Sequence, residues 1–513
     1  MRRRRQTTLI ISFCLGVLGG LGLSRRLIVE PQVWWLGFLP LLLLLRRKNI
    51  TSLIIVTICG LLIGLSRGGA FMEKASALQN LNGQKVVVTG TALTDSIYGQ
   101  NSQIEFDLGN IILEEPGNQP LAGRFKIGGF GEPMVYRGDR VQVEGKLFLT
   151  RGSRQARITY AKLDRVGAST FWLDSLRRHY ATGMYNTLPE PAASFGLGLL
   201  IGQRSTLPQD VVNQLALVGL VHIVAVSGYN VTILSRAVAR LRLPSKFQKL
   251  VLSLLLIGMF VLVTGFSASI VRAALVSLLS LWAWYYGRKL KPLLLILLVA
   301  ALTGLFNPFY VWSDIGWYLS FLAFAGVLIV APLIVKRFFS AKRKPKMLGM
   351  VLIETVSAQL MTMPLIAMIF GQVSIISLLA NVLVVPLVPV AMLLAAIAAA
   401  AGVWLTAFAG WLAWPAKLLL TYMLDIAHLL STVPAAAISI TFSVAGMVVC
   451  YGVLGIVFIA MYRRVKAKTD ILTPHQKLEA PQSDYRLLRS GFGAGQARQV
   501  LLCRSGQRES AWL

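Results

Sequence analysis

Charge is scarce in this 513-residue chain: 14% of its residues are Asp, Glu, Lys or Arg, where a soluble protein carries about a quarter. That deficit excludes an ordinary soluble fold. Acidic residues are the rarer sign, 21 against 51 basic. No run of paired intramembrane carboxylates and no clear inverted repeat marks a small-solute transporter. Histidine occurs four times, as His179, His222, His428 and His475. No two are spaced for a His-x-His or His-Glu-x-x-His metal motif. Of the cysteines Cys14, Cys59, Cys450 and Cys503, three sit in apolar segments, where Cys is a small hydrophobe. Neither a disulfide framework nor a thiolate zinc site is expected. A Walker A sequence is missing, so no ATP hydrolysis is expected and any energy source is external. No metal and no cofactor is implied.

Apolar residues are abundant, 55% of the chain, with a mean hydropathy of +0.66. They cluster in nearly uncharged blocks such as Leu250–Gly265, Leu293–Leu305 and Val382–Val403. Runs of this kind span a hydrocarbon core of ~30 Å, some only with flanking apolar residues. The net charge of +30 has two sources of meaning. Basic loops orient membrane proteins and touch anionic headgroups, and a basic surface also suits a polyanionic substrate.

The N-terminal unit, residues 1–70, holds apolar stretches at Thr7–Leu23, Val33–Leu45 and Ile50–Leu65, flanked by basic clusters beginning at Arg2–Arg5. The first is read as a retained helix, since no small-residue cleavage site follows it. Residues 81–168 differ in pattern. Apolar and polar residues alternate in Lys85–Leu93, Gln103–Leu113, Gly123–Gly128, Arg140–Leu149 and Arg157–Leu163, with turn signals such as Asn82-Gly83 between them. Five short strands at these spacings predict a small β-barrel resembling an OB-fold. Its exposed aromatics would offer bases a stacking surface, the candidates being Phe106, Phe125, Phe130, Tyr136 and Phe148. Twelve Lys/Arg against ten Asp/Glu between Ala70 and Thr170 give that surface little net charge. Phe171–Leu188 reads as an amphipathic helix on the outer membrane surface, with Trp172, Leu176, Tyr180, Met184 and Leu188 in one stripe.

Residues 191–462 are again apolar, interrupted by basic loops at Arg236–Lys246, Arg288–Lys291 and Lys336–Lys346. Placing these loops in the cytoplasm requires one crossing before Arg236. The following pairs are Lys249–Gly265 with Ile270–Tyr286 and Pro292–Leu305 with Ser313–Val335. Four further spans are Met350–Phe370, Ile375–Ala400, Val403–Leu430 and Ile440–Met461. Both termini then lie inside and the β domain outside. The expected fold class is a polytopic α-helical membrane protein with a small extracytoplasmic β-barrel inserted after three N-terminal helices. The basic tail 463–513 lacks periodicity and is expected to be disordered.

Polar residues inside apolar runs face protein or a watery cavity, because lipid cannot satisfy them. The stretch Gly219–Val231 reads GLVHIVAVSGYNV and contains His222, Ser227, Gly228 and Asn230. Gly228 is a candidate helix break that frees backbone groups to line a path. Arg272 lies in apolar sequence behind Gly265-Phe-Ser-Ala-Ser and needs a carboxylate, a carbonyl or a substrate phosphate. Asp314, opening the next apolar helix ahead of Ser320, is a candidate cap or a partner for Arg272. Glu354, Ser357, Gln359 and Pro364 form another polar stretch, and Asn381 precedes Pro386 and Pro389; proline in a span points to a broken helix beside a cavity. A membrane-embedded hydrolase or lipid-modifying enzyme using His222 and Ser227 is the alternative class. Five residues on a helix place those two side chains roughly 140° apart, and no third orienting group is evident.

These blocks, in this order, resemble the ComEC family of competence proteins from about Thr7 to Met461. The carrying residues are Leu188-Pro189, Leu200-Ile201-Gly202, Leu207-Pro208, Gly219 through Val231, Gly265-Phe-Ser-Ala-Ser with Arg272-Ala273, Asn307-Pro308 with Asp314-Ile-Gly316 and Leu319-Ser-Phe321, and Asn381 before Pro386. The resemblance implies a channel passing single-stranded DNA across the cytoplasmic membrane in natural transformation. It further implies an outer DNA receptor and a cytoplasmic ATPase, with His222, Ser227, Arg272 and Asp314 as channel or structural residues rather than catalytic ones. Membrane lipids and a possible homo-oligomer complete the expected partners. Two positions depart from the family pattern: Asn230 stands where a second His is frequent, and Tyr318 where Gln is frequent. Longer members also carry a C-terminal metallo-β-lactamase-like domain, which the tail after Met461 does not resemble. This chain is expected to be a short form that depends on a separate nuclease.

Overall fold

The computed structural model describes residues 6–27, 49–76, 78–98, 103–121, 123–130, 132–150, 154–169, 171–203, 207–224, 228–242, 244–265, 268–288, 290–339, 345–434, 436–440 and 443–478. The apolar stretch Val33–Leu45 and Ser227 lie outside these residues.

Two helices, α1 (Gln6–Leu23) and α2 (Ile50–Ser76), open the fold. Gly16 and Gly20 on α1 and Gly60 and Gly64 on α2 put backbone directly against backbone, since a Cβ at any of the four would meet the main chain of the other helix. Small residues four apart on both helices permit this approach, which gains van der Waals contact where lipid offers no hydrophobic drive. The Ser12 and Thr57 hydroxyls meet across the pair at 2.7 Å.

A sheet of seven strands follows: β1 (Lys85–Ala92), β2 (Ile97–Tyr98), β3 (Gln103–Glu115), β4 (Gln119–Leu121), β5 (Phe125–Phe130), β6 (Arg140–Leu149) and β7 (Ala156–Gly167). Alternating burial along β6 shows why the apolar–polar pattern forms a strand with one face inward. β1 pairs with both β3 and β6, β6 with β7, β7 with β5 and β5 with β3. The pairing therefore returns to its starting strand. Only β5–β7 is parallel in this circuit. Val88, Leu108, Phe125, Ile127, Val143 and Ile158 are among the side chains filling its interior. Phe106 and Phe125 belong to that interior, so they are corrected from stacking candidates to core residues.

Helix α3 (Trp172–Thr187) leads into the second apolar region. Its expected stripe is mixed: Met184 and Leu188 are buried while Trp172 is exposed. Gly183, on the same face of the helix, lies against Gly402 backbone to backbone, so packing on a neighbouring helix holds α3.

The single crossing expected before Arg236 is instead four short helices: α4 (Ala192–Ile201), α5 (Gln209–Leu217), α6 (Val221–Val224) and α7 (Gly228–Arg240). Local backbone chemistry explains the breaks. Gly202 ends α4 in the left-handed region, Pro208 precedes α5, and Gly219 again has a positive φ. Then come α8 (Lys246–Thr264), α9 (Ala268–Tyr285), the shorter α10 (Pro292–Phe306), α11 (Phe309–Ser313) and α12 (Ile315–Ala325). A π-helical segment, Gly326–Val330, joins α12 to α13 (Ala331–Phe338). Next is α14 (Met347–Phe370), which continues through Pro364 without ending. At Pro386, by contrast, a 3-10 segment separates α15 (Ser377–Val384) from α16 (Val388–Trp404). The chain finishes with α17 (Ala409–Ser431) and α18 (Val444–Leu478). Two strands, β8 (Gln372–Ser374) and β9 (Ala437–Ser439), pair across the ends of α14 and α17. Where an unstructured tail is expected from Arg463, α18 continues to Leu478, since propagating a formed helix adds one hydrogen bond per residue.

Among the described residues, eight helical segments are long and apolar enough to cross a membrane. The chain is a mostly helical, multi-pass membrane protein with a seven-stranded sheet and a short two-stranded one among its described residues. One apolar cluster unites α3, α4 and α15–α17, where Ala391, Ala395, Ala398 and Ala399 let neighbouring helices close in. A second joins α1, α10, α11 and α12. A third, around Val231, Ile257, Ile270 and Ala273, holds α7, α8 and α9 together.

Candidate functional site

Arg272 stands on the first turns of α9, whose apolar length carries the guanidinium into the helix bundle. The residue is 3% exposed. Its Nη2 donates to the Gly316 carbonyl at 3.0 Å, while Nε and Nη1 have no hydrogen-bond partner. A buried cation in this state is expensive unless something else satisfies it. Asp314 acts on it electrostatically but forms no ion pair with it among the described residues. Nor does the Asp314 side chain cap α12. Both roles expected for Asp314, cap and ion-pair partner, are therefore corrected: its carboxylate faces a cavity shared with Arg272. At the start of the preceding short helix, α11, the Asn307 side chain accepts from the Phe309 N–H at 3.1 Å.

The cavity measures about 250 Å³ and lies between sheet and helices. Arg272, Tyr310 and Asp314 line it from the helices, and Asp107, Arg124 and Arg154 from the sheet. Arg154 and Asp107 form a two-point ion pair, Nε to Oδ1 at 2.6 Å and Nη2 to Oδ2 at 3.1 Å. Three guanidinium groups thus face two carboxylates. The sheet docks nearby through Arg137, whose guanidinium occupies the space beside Gly265 where a Cβ would sit. Burial first, then the adjacent Arg177, push the Arg137 pKa below the usual arginine value, against the pull of Asp174 and Asp95.

The polar stretch around His222 forms a separate group. The His222 ring is exposed and its Nδ1–H donates to the Gly219 carbonyl at 2.9 Å. In the neutral ring this leaves Nε2 as an acceptor. Gly219 packs on Ser377, whose hydroxyl accepts from Gln359 Nε2 at 2.7 Å. Gly228 is the first described residue of α7, and a Cβ on it would press on Ala273, the neighbour of Arg272. Asn230 is buried and donates from Nδ2 to the Leu199 carbonyl at 3.5 Å, a long contact. Asn381 is buried on α15 with its Oδ1 unpartnered. Ser320 is half-buried on α12. Among the described residues no group of three His, Cys, Asp or Glu is placed to hold a metal ion.

On the sheet, Phe130 and Phe148 are exposed. Tyr136 is half-buried beneath the Arg178 guanidinium, 5.3 Å from its ring centre. Tyr160, missed in the sequence, is 76% exposed, with its ring 6.1 Å from that of Phe130. It has φ +54 where the β6–β7 register shifts, a bulge that turns the side chain outward. Simple alternation along β7 places it on the inward face with Ala156 and Ile158, so the pattern reads it as core rather than as an exposed ring. Asp107 on β3, Arg124 just before β5, Arg154 just before β7 and Tyr310 on α11 were missed as well, since scattered charged residues of a β domain and a single tyrosine among aromatics read as ordinary surface and packing.

A family model described as Competence protein matches residues 199–464, a span that includes His222, Asn230, Arg272, Asp314 and Asn381. ComE operon protein 3 of Bacillus subtilis (strain 168) is 31% identical over 215 residues, which is 41% of this chain and 27% of that relative's length. No solved structure matches the chain. With more than half of its residues matched by the family model, and with the Gly219–Val231 and Arg272 blocks inside the match, the chain belongs to the ComEC family of competence proteins.

Proposed function

We propose that this protein conducts single-stranded DNA across the cytoplasmic membrane during natural transformation. The observation that carries the reading is Arg272: a guanidinium held inside apolar helices, with two donors unpartnered and a cavity before it. Buried cations near the end of a membrane helix, facing a cavity, are candidates for a substrate path. A phosphodiester backbone supplies the oxygens that the helices do not. Family membership and the net charge of +30 support the same substrate. The broken helices α4–α7 release backbone groups of the sort that line paths through membranes. The sheet's pairing circuit, with one parallel pair, is the strand order of an OB-fold, and we read it as an extracytoplasmic barrel at the entrance. Both termini are then cytoplasmic. An outer DNA receptor, a cytoplasmic ATPase and a nuclease acting on the other strand are the partners this function calls for.

The test is uptake of end-labelled duplex DNA, scored as label protected from external DNase. Deleting the gene should abolish protection, and Arg272→Met should reproduce the loss while the protein still inserts. Undiminished protection in the deletion strain would refute the channel reading.

A further inference from the structure

Resting on that reading, we infer that the cavity between sheet and helices is a binding site for one phosphodiester group of the entering strand, built jointly by Arg124 and Arg154 from the sheet and Arg272 from α9. Arg272 provides the demand. It is 3% exposed, lines the cavity, and has Nε and Nη1 without partners. Nε and Nη1 lie on opposite edges of the guanidinium, so each offers its own N–H to a phosphate oxygen, and a two-point fork on either edge is completed by the second N–H of Nη2. Charge selects the ligand further. Three arginines against Asp107 and Asp314 leave one uncompensated positive charge, which one phosphodiester neutralises, whereas a terminal phosphate monoester carries about −1.5 to −2. A volume of about 250 Å³ takes a phosphodiester with its adjoining sugar.

The two carboxylates set the strength of the site. Asp107 already holds Arg154 by two contacts, so an arriving phosphate competes with it rather than finding three free cations. Conduction needs such a site, favourable enough to fill and weak enough to empty. Because Arg124 and Arg154 come from the sheet and Arg272 from the helices, the site is complete only when the two are docked. It thereby hands the strand from the outer domain to the membrane path.

The experiment uses the full-length protein in neutral detergent. One probe is a fluorescent abasic phosphodiester oligomer, which has a backbone and no bases; the other is short-chain phosphatidylglycerol, whose headgroup is also a phosphodiester. The oligomer should bind. Arg124→Gln, Arg154→Gln and Arg272→Gln should each weaken it about tenfold and lower its salt slope by about 0.7. Asp107→Asn, which frees Arg154, should tighten it, a change of sign that loss of a structural ion pair would not produce. Oligomer binding indifferent to all four substitutions overturns the site. Phosphatidylglycerol binding that depends on the three arginines, with oligomer binding that does not, assigns the cavity to lipid and overturns it too. Normal DNA uptake by Arg124→Gln/Arg154→Gln cells, alongside none in the deletion strain, would remove this site and leave the channel standing.

Discussion

Arg272 and Gly265 show how single residues in this protein answer to different demands. A buried guanidinium with one hydrogen bond contributes little to stability, and replacing buried ionic groups by apolar ones of similar volume is often neutral or favourable. Arg272→Met is therefore expected to unfold in detergent at or above the parent's temperature while DNA uptake is lost. A large drop in melting temperature would make Arg272 a structural residue. Gly265 is needed for the opposite reason. Its φ of +81 and the Arg137 guanidinium beside it leave no room for a side chain. Gly265→Ala should cost about 1–2 kcal/mol for the backbone conformation alone and displace Arg137, measurable as lower thermal stability and faster proteolysis of the sheet.

Whole elements are held by contacts that hydropathy does not report. The α1–α2 pair depends on Gly16, Gly20, Gly60 and Gly64, while Gly19 and Gly22 face open space. Gly20→Leu should destabilise the pair by about 1–3 kcal/mol, as overpacking does, whereas Gly19→Ala should leave thermal unfolding unchanged. Within the sheet, Glu114 accepts from the Thr89 hydroxyl and the Gln142 amide, which lower its pKa in that order. A carboxyl depressed in the folded state adds stability above its unfolded pKa and loses it as pH falls through the folded value. The sheet should thus weaken in acid, and Thr89→Val should move that loss to higher pH; an unchanged acid transition would mean Glu114 contributes nothing. The apolar spans were legible as elements because an uncharged run of this length has one stable arrangement in lipid. The break of the Pro191–Arg236 region into α4–α7 was less so. Its punctuation, Gly202, Pro208 and Gly219, is visible in the sequence, yet apolar composition outweighs three residues in any average over a span.

Taken whole, the molecule is a helical membrane body with a sheet docked on it through Arg137 and the arginine-lined cavity. The proposed orientation places that sheet outside the cell. A cysteine introduced for exposed Lys146 should react with a membrane-impermeant maleimide in intact cells, and one introduced for Arg464 only after permeabilisation. The reverse pattern would invert the topology and move the cavity to the cytoplasmic side. Of the natural cysteines, Cys14 and Cys59 are buried, and Cys450 and Cys503 are first replaced by Ser so that only the introduced thiol reacts.

Composition and periodicity alone determined that the chain lies in a membrane and that a sheet follows the first helices, because burial in lipid and alternation along a strand are local properties of consecutive residues. They also singled out Arg272, since a cation in an apolar run is anomalous wherever it folds. Tertiary structure decided what faces Arg272. Asp314 shares its cavity without pairing, while Asp107 on β3 and Arg124 and Arg154 on the connections before β5 and β7 reach it from distant parts of the chain. It also moved Phe106 and Phe125 into the core and turned Tyr160 outward on a bulge. Which charges converge on a cavity depends on how two separately formed bodies dock, and no periodicity within either one encodes that contact.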